Sequence, residues 1–256
     1  MKEKQNLLFL FLGMFFVSNA VLAEFIGVKI FSLEQTMGLQ PVSLSLFGQE
    51  NLSFNLTAGV LLWPIVFIFT DIINEYFGRG GVRLLSFISA GLIAYAYLMV
   101  YFSMGLVPAD FWIIRDTPAG QINMNDAFNA IFGQGLWIII GSLIAFLIGQ
   151  LVDVTVFQWV RKHTGTKWIW ARATGSTLVS QFIDSFVVLF IAFYFGADWS
   201  LELVLAIGVV NYIYKLTVAV FLTPILYVLH AVIDGYLGRE LSHKMIEQAA
   251  IETDTD

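Results

Sequence analysis

The chain has 256 residues, of which 58% are hydrophobic and only 12% are charged, with 24 phenylalanines and 7 tryptophans. Soluble domains are about 45 to 50% apolar and about 25% charged, so this composition indicates an integral membrane protein. The lack of cysteine excludes disulfides, thiolate nucleophiles and iron–sulfur clusters, and the net charge of −6 argues against nucleic acid as a partner, since phosphate binding needs a basic surface.

Six apolar windows are each long enough to cross a hydrocarbon core of about 30 Å. They lie at 7–28, 54–75, 84–106, 135–158, 173–196 and 203–232. Six spans leave too little chain for a separate soluble domain, so the sequence predicts one all-α, polytopic membrane domain over residues 1–256. Residues 245–256 are expected to form a disordered tail.

The first window also resembles a secretory signal peptide, with a basic start, an apolar LLFLFLGMFFV core and small residues before Glu24. Cleavage would leave five spans. The apolar character continues through Phe25, Ile26, Val28 and Ile30, so a retained first span is favoured.

The basic residues predict the orientation of the chain. Six spans place both termini, the second loop and the fourth loop on one side, together with ten of the 13 Lys and Arg residues: Lys2, Lys4, Arg79, Arg83, Arg161, Lys162, Lys167, Arg172, Arg239 and Lys244. The opposite loops hold only Lys29 and Arg115. The positive-inside rule therefore places the N-terminus and the C-terminus in the cytoplasm, in a multi-pass protein of the cell inner membrane.

The third loop, residues 107–134, is the longest connection and mixes apolar with charged residues. A solvated outer loop with a short interfacial helix is the favoured interpretation, and a re-entrant lid is the alternative.

Polar residues recur inside four of the windows at spacings of three and four, which places them on one face of each helix. The second window carries Asp71, Asn74 and Glu75 on the face that also holds Trp63 and Phe67. The corresponding residues of the fourth, fifth and sixth windows are Gln150 and Asp153, then Thr177, Ser180, Gln181 and Asp184, then Gly208, Asn211 and Lys215.

A single buried Asn or Gln is best explained as an interhelical hydrogen bond. Interhelical hydrogen bonds do not explain the whole set, because it contains four acids and one intramembrane lysine, Lys215. The acids are Asp71, Glu75, Asp153 and Asp184. The surplus negative charge requires a proton, a cation or a cationic ligand. We therefore predict a transport site. Its candidate substrate-binding residues are Asn19, Trp63, Phe67, Asp71, Asn74, Glu75, Gln181, Asp184, Asn211 and Lys215.

The same residues argue against an enzyme, and no catalytic residue, metal or cofactor is predicted. His163, His230 and His243 do not have the spacing of a metalloprotease site, and no histidine base accompanies a serine at membrane depth. The GRGG segment at 78–81 follows no strand and lacks the lysine of a nucleotide-binding loop.

Four segments of the chain resemble the queuosine precursor transporter family, also described as vitamin uptake transporters. They are SN at 18–19, WPIVFIFTDIINEYFG at 63–78, GQLVDVTVFQWVRKHTGTKWIWARATGSTLVSQFIDS at 149–185 and NYIYKLTVAVFLTPILY at 211–227. The resemblance covers residues 12 to 230. It implies a six-helix protein that imports 7-cyano-7-deazaguanine or 7-aminomethyl-7-deazaguanine, precursors of a modified tRNA base.

The polar residues suit such a ligand. One carboxylate, Asp184 or Asp71, can accept the ring N–H and the exocyclic amine together, and Lys215, Asn211 or Gln181 can donate to the ring carbonyl. Trp63, Phe67 and Tyr212 are candidates for stacking on the flat ring. Tyr214 is expected in the core, and Trp168 and Trp170 are expected at the membrane interface beside Arg172.

Two expectations concern the charges. Lys215 should pair with Asp184 or Asp71, because a lone ammonium at this depth is costly. Asp71 and Glu75, one turn apart, should not both ionise easily, so one of them is a candidate for a coupling proton.

The power source is predicted from the first window. The family is similar in size and helix count to substrate-binding subunits of energy-coupling-factor importers, which dock an ATPase module through an Ala-x-x-x-Ala stripe. Here Ala20 is followed by Ala23 and Glu24, so the stripe is absent. A stand-alone carrier is favoured, with such a subunit as the alternative. The expected partners are a small 7-deazapurine and the lipid bilayer; a homodimer is compatible with the sequence, and an ATPase module is not expected.

Overall fold

The computed structural model of the protein describes residues 2–118, 120–133, 136–164 and 168–252. In chain order, the elements are α1 (Lys2–Ile26), β1 (Ile30–Ser32), α2 (Leu33–Thr36), β2 (Leu44–Leu46), β3 (Gln49–Leu52), β4 (Asn55–Thr57), a 3-10 turn (Ala58–Leu61), α3 (Trp63–Met104), α4 (Asp110–Ile113), β5 (Ile114–Thr117), β6 (Gly120–Asn123), α5 (Met124–Phe132), α6 (Leu136–Thr164), α7 (Ile169–Leu189), a π-helical turn (Phe190–Phe195), α8 (Leu201–Leu237) and α9 (Arg239–Glu252).

Long apolar helices dominate the structure, as expected for an all-α membrane protein. Within the described residues, five helical stretches are long and apolar enough to cross a membrane, and they contain α1, α3, α6, α7 and α8. Helix α3 has 42 residues. At 1.5 Å per residue its residues amount to about 63 Å of helix, roughly twice the thickness of a hydrocarbon core, which is enough for two crossings. It contains most of the second and of the third predicted windows.

Helix α3 changes direction at Gly78, whose backbone (φ 68°, ψ −173°) is not helical. Before this residue, α3 runs antiparallel to α1. The ring of Phe69 stacks on Phe15 at 4.6 Å between centroids, and the ring of Phe77 packs on Phe9 at 5.0 Å.

After Gly78, α3 runs parallel to α1. Leu85 packs against Gly13, and Tyr97 stacks on Phe25 at 5.6 Å between centroids. The two arms of α3 therefore point in opposite directions, with the turn provided by the glycine of the GRGG segment. We call the part before Gly78 the first arm and the part after it the second arm.

The predicted second window, 54–75, begins too early. Its first residues form β4, which pairs antiparallel with β1 through partners such as Leu56 and Phe31, and a 3-10 turn follows. Helix α3 starts only at Trp63, with Pro64 in its first turn, where the missing N–H of proline has no cost. The apolar Leu56, only 2% exposed, is thus buried by strand pairing and not by lipid.

The loop between α1 and α3 is organised by the carboxylate of Glu34. It accepts hydrogen bonds from the backbone N–H of Phe54 at 2.9 Å, the N–H of Val42 at 3.4 Å and the hydroxyl of Ser32 at 3.3 Å. Removal of this carboxyl from water acts to raise its pKa, but the donors stabilise the ionised form, so the pKa of Glu34 is lowered overall.

The long loop between α3 and α6 contains two short helices and the β5–β6 hairpin. The expected short helix is present as α5, and the side chain of Asn123 caps it by accepting from the N–H groups of Asn125 and Asp126. The last residue of this loop, 134, lies outside the described residues. A lid function for the loop stays a prediction.

Both ends of the described chain meet at one end of the bundle, which we call the terminal end. Lys4 donates to the carbonyl of Tyr236 at 2.9 Å, and Arg161 donates to the carbonyl of Ile246 at 2.5 Å. Ala249 packs against Gly78 at the turn of α3.

The tail predicted to be disordered from residue 245 is instead helical as far as Glu252, and residues 253–256 lie outside the described residues. Leu241, Met245 and Ala249 recur every fourth residue and form a buried face of α9. This apolar face packs into the hydrophobic core at the terminal end. The prediction of disorder relied on the acidic ETDTD ending and overlooked this face.

Replacing Gly78 by alanine is expected to destabilise the protein by about 1 to 3 kcal/mol, because glycine alone adopts this backbone conformation without strain. The new methyl group would also lie 3.4 Å from the carbonyl oxygen of Ala249. The thermal midpoint of the purified protein in detergent is the measurement. Gly80→Ala is the matched control, since nothing lies within 4 Å of its Cβ position. Equal midpoints for the two variants would contradict the role of Gly78.

Candidate functional site

A pocket lies between the first arm of α3, α7 and α8, with about 590 Å³ of empty space including its mouth. Five of the ten predicted site residues line it: Trp63, Phe67, Asp71, Gln181 and Lys215. The polar stripes of three predicted windows therefore converge, as helix periodicity suggested.

One wall of the pocket is apolar and aromatic. Trp63 and Phe67 lie one turn apart on α3, and the ring of Trp63 packs on Phe146 at 5.5 Å between centroids. Leu222 and Leu226 face them from α8. A flat ring could be held between these surfaces, because aromatic faces favour offset stacking.

Lys215 forms an ion pair with Asp184, with 2.5 Å between Nζ and Oδ2. The sequence left Asp184 and Asp71 open as partners, and the structure selects Asp184. The two side chains are 16% and 22% exposed, so the pair is in contact with the pocket and not sealed in the core. Asp184 contacts the pocket through Lys215 and does not line it directly.

Asp71 lies at the bottom of the same pocket and is only 5% exposed. Among the described residues, its Oδ1 has no hydrogen-bond partner. Ser176 of α7 lies near Asp71, but its hydroxyl donates to the carbonyl of Ala173 at 3.0 Å. The negative charge of Asp153 on α6 acts on Asp71 electrostatically. Asp71 is thus an acceptor that remains available at the pocket surface.

Asp153 is fully buried and accepts a hydrogen bond from Ser180 at 3.0 Å. Two further bonds fix α3 against α6 on either side of it. Thr70 donates to Gln150 at 2.9 Å, and Gln158 donates to Asn74 at 2.6 Å.

Glu75 does not contribute to the pocket. Its carboxylate accepts two hydrogen bonds from Arg172, at 3.1 Å from Nε and 2.6 Å from Nη2, and Arg161 lies 3.9 Å away. Glu75 and Arg172 are each 1% exposed. Arg172 therefore compensates the charge of Glu75, and the coupling proton on Asp71 or Glu75 stays a prediction.

The remaining candidates lie outside the pocket lining. Asn19 donates to the carbonyl of Phe15 within α1 at 2.8 Å, and Asn74 is held by Gln158. Asn211 is half-buried on α8. Tyr212, a stacking candidate, packs edge-on against Phe182 at 5.3 Å between centroids.

Several pocket residues were not predicted. Thr174, Thr223 and Tyr214 all line it, so Tyr214 is not simply a core residue. Thr174 and Thr223 lie 3.3 Å apart and bridge α7 and α8. Threonines occur throughout apolar helices, so their sequence positions gave no distinct signal. Arg172 was assigned to the membrane interface, because it follows the tryptophans of the KWIWAR segment.

Glu75→Gln is expected to lower the stability by about 3 to 5 kcal/mol, since it removes the buried negative charge that pairs with Arg172 and lies near Arg161. The thermal midpoint in detergent measures this change. Glu50→Gln, at an exposed loop position, is the control and should melt like the wild type. Glu75→Gln combined with Arg172→Gln should recover part of the loss. A single variant as stable as the wild type would remove the structural role of this ion pair.

Comparisons with known proteins agree with these features. The family model described as "Putative vitamin uptake transporter" matches residues 57–229, which include the helices that line the pocket. No solved structure matches the chain.

Three curated relatives were found in bacteria. The "Queuosine precursor transporter" of Escherichia coli (strain K12) is 30% identical over 178 residues, 68% of this chain and 72% of that protein. The "Probable queuosine precursor transporter" of Bacillus subtilis (strain 168) is 28% identical over 178 residues, with the same coverage. A protein of the same description from Haemophilus influenzae is 27% identical over 186 residues, 71% of each chain.

The family match covers more than half of the chain, and the relatives are described as transport proteins and not as enzymes. A pocket with buried charges between apolar helices is the site expected in such a protein. The chain belongs to the vitamin uptake transporter family.

Proposed function

We propose that this protein imports queuosine precursors, 7-cyano-7-deazaguanine or 7-aminomethyl-7-deazaguanine, across the cell inner membrane as a stand-alone carrier. The main support is that three relatives from different bacteria, which align over about 70% of the chain, are described as queuosine precursor transporters, two of them as probable ones. The chemistry of the pocket supports the same class of substrate.

Asp71 is the best acceptor for the guanine-like edge of the substrate. Asp184 already receives the ammonium of Lys215, whereas Asp71 Oδ1 has no partner among the described residues. A carboxylate can accept the ring N–H and the exocyclic amine side by side. Lys215 has three donor hydrogens, so it can keep Asp184 and still donate to the ring carbonyl.

Gln181 and the aromatic wall complete the proposed site. The amide nitrogen of Gln181 is buried and has no acceptor within the described part of the chain, so it is a second donor for the carbonyl. Trp63 and Phe67 would stack on the ring. These assignments make the pocket selective for a planar base with donors on one edge and an acceptor beside them.

The proposed topology has six spans, because the two arms of α3 run in opposite directions. The second arm is about 39 Å long, and the first arm, about 22 Å long, is extended by the 3-10 turn Ala58–Leu61 to about the thickness of the hydrocarbon core. The terminal end would face the cytoplasm. Lys4, Arg79, Arg83 and Arg161 all belong to this end, in agreement with the positive-inside rule.

The packing of α1 supports a carrier that works without an ATPase module. Ala20 and Ala23 are 0% and 1% exposed, and the carbonyl of Ala23 lies against Gly59. The small residues of α1 therefore pack inside the bundle and do not form an outer docking stripe. The alternative, a substrate-binding subunit of an energy-coupling-factor importer, predicts co-purification with ATPase and scaffold proteins.

Labelled 7-cyano-7-deazaguanine is expected to accumulate in cells that cannot synthesise it and that express this protein. The family resemblance implies that guanine, which lacks the substituent at position 7, competes poorly, although it shares the edge assigned to Asp71, Lys215 and Gln181. Uptake in cells with the empty vector, and in cells that express Asp71→Asn, should stay near background. Background uptake by the wild type, with the protein shown to be in the membrane, would refute the proposal.

Lys215→Met is expected to abolish uptake and to lower the thermal midpoint, because it leaves Asp184 without a partner. Adding Asp184→Asn should restore the midpoint but not uptake, since the donor to the substrate is still missing. If the double variant recovers both, the ion pair is only structural. The matched control is Lys29→Met, which removes a lysine from the loop after α1.

A further inference from the structure

We propose that Asp71 and Asp153 together bind one proton that enters with the substrate, so that the carrier is a proton symporter. This inference rests on the proposed function and adds the energy source. The pair was not predicted from the sequence, in which Glu75 was the expected partner of Asp71.

The two carboxyls meet where α3, α6 and α7 pack together. The bonds of Thr70 with Gln150 and of Gln158 with Asn74 bracket both acids along α3 and α6, and Asp153 accepts from Ser180 of α7 at 3.0 Å. Asp71 Oδ1 and Asp153 Oδ2 are buried and have no hydrogen-bond partner among the described residues. Ionising both carboxyls has a high free-energy cost, because they are buried and have few hydrogen-bond donors around them.

The surrounding cations do not neutralise the charge of this pair. The groups that face the pair are Glu75 on α3, Arg172 on α7 and Lys215 on α8. Lys215 is paired with Asp184, and Glu75 also faces Arg161. Both cations that face the pair, Arg172 and Lys215, therefore already have a carboxylate partner, so a proton is the charge that can neutralise one of the two acids. Glu24 on α1 adds a further buried acid beside Asp184.

Substrate binding favours protonation of this pair. In the empty pocket, water at the mouth can hydrate Asp71 and stabilise its charge. A bound base replaces that water and donates its N–H groups to Asp71 alone. The charge on Asp153 then has only serine hydroxyls to stabilise it, in a drier site, so Asp153 takes up the proton. Proton and substrate therefore bind cooperatively, and affinity falls as the pH rises through the titration of the pair.

The first test measures protons directly. Purified wild-type protein in weakly buffered detergent is mixed with 7-cyano-7-deazaguanine, which carries no charge that titrates near neutral pH. About one proton should be taken up for each molecule bound. Asp153→Asn should bind the base with no proton uptake. Binding by the wild type without proton uptake would overturn this inference and leave the proposed function intact, whereas no binding would overturn both.

The second test measures coupling in proteoliposomes. With the outside one pH unit more acidic, the wild type should concentrate the labelled base about tenfold, the limit for one proton per substrate. Asp153→Asn should still exchange internal for external base but lose this accumulation. Asp198→Asn, an identical change at an exposed position, should behave like the wild type. If Asp153→Asn does not fold, Ser180→Ala replaces it and should shift the pH dependence. Accumulation that requires Na⁺ and ignores pH, or full accumulation by Asp153→Asn, would overturn the proposal.

Discussion

The architecture depends on one constraint, which is that a charged side chain inside a hydrocarbon layer must find its partner within the protein. An unpaired charge at that depth costs at least about 2.5 to 3.5 kcal/mol. Glu75 and Arg172 satisfy each other completely and fasten α3 to α7. Arg161 extends this contact to α9 through the carbonyl of Ile246. The terminal end of the bundle is thus held by charges, and the C-terminal helix belongs to the core.

The pocket begins one turn away from that ion pair, where satisfaction of polar groups becomes incomplete. Asp71 and Gln181 line it, and each has a buried polar atom without a partner in the described part of the chain. Buried polar groups are normally satisfied, so these two atoms are candidates for bonds to a ligand. Other buried atoms without a partner among the described residues, such as Arg161 Nη1 and Ser86 Oγ, lie away from the pocket. The two ion pairs also differ in exposure. Lys215 and Asp184 are partly exposed, whereas Glu75 and Arg172 are buried.

Local sequence patterns predicted the apolar helices and the polar stripes, because both follow from hydropathy and from the 3.6-residue period. The hydrogen-bond and ion-pair partners of those polar residues lie on helices that are distant in the sequence, so local patterns could not predict them. Arg172 sits near the end of an apolar window and therefore resembled an interfacial residue. The reversal at Gly78 lies in the connection between the predicted second and third windows, in agreement with that prediction. The start of α3 was missed because Leu56 and its neighbours are as apolar as a span. The buried face of α9 depends on a contact with Gly78 at the turn of α3, which the sequence does not reveal.

Helix α7 explains why neighbouring carboxylates on α3 differ. Arg172, Ser176, Ser180 and Asp184 follow one another every fourth residue, so they form a single stripe along the helix. Because the first arm of α3 runs antiparallel to α7, Glu75 pairs with Arg172, and Asp71, one turn earlier, lies near Ser176. Further along α7, Ser180 contacts Asp153, and Asp184 contacts Lys215. A register shift of one turn would neutralise Asp71 and expose Glu75, so the packing of these two helices decides which acid holds the bundle together and which remains available for a ligand.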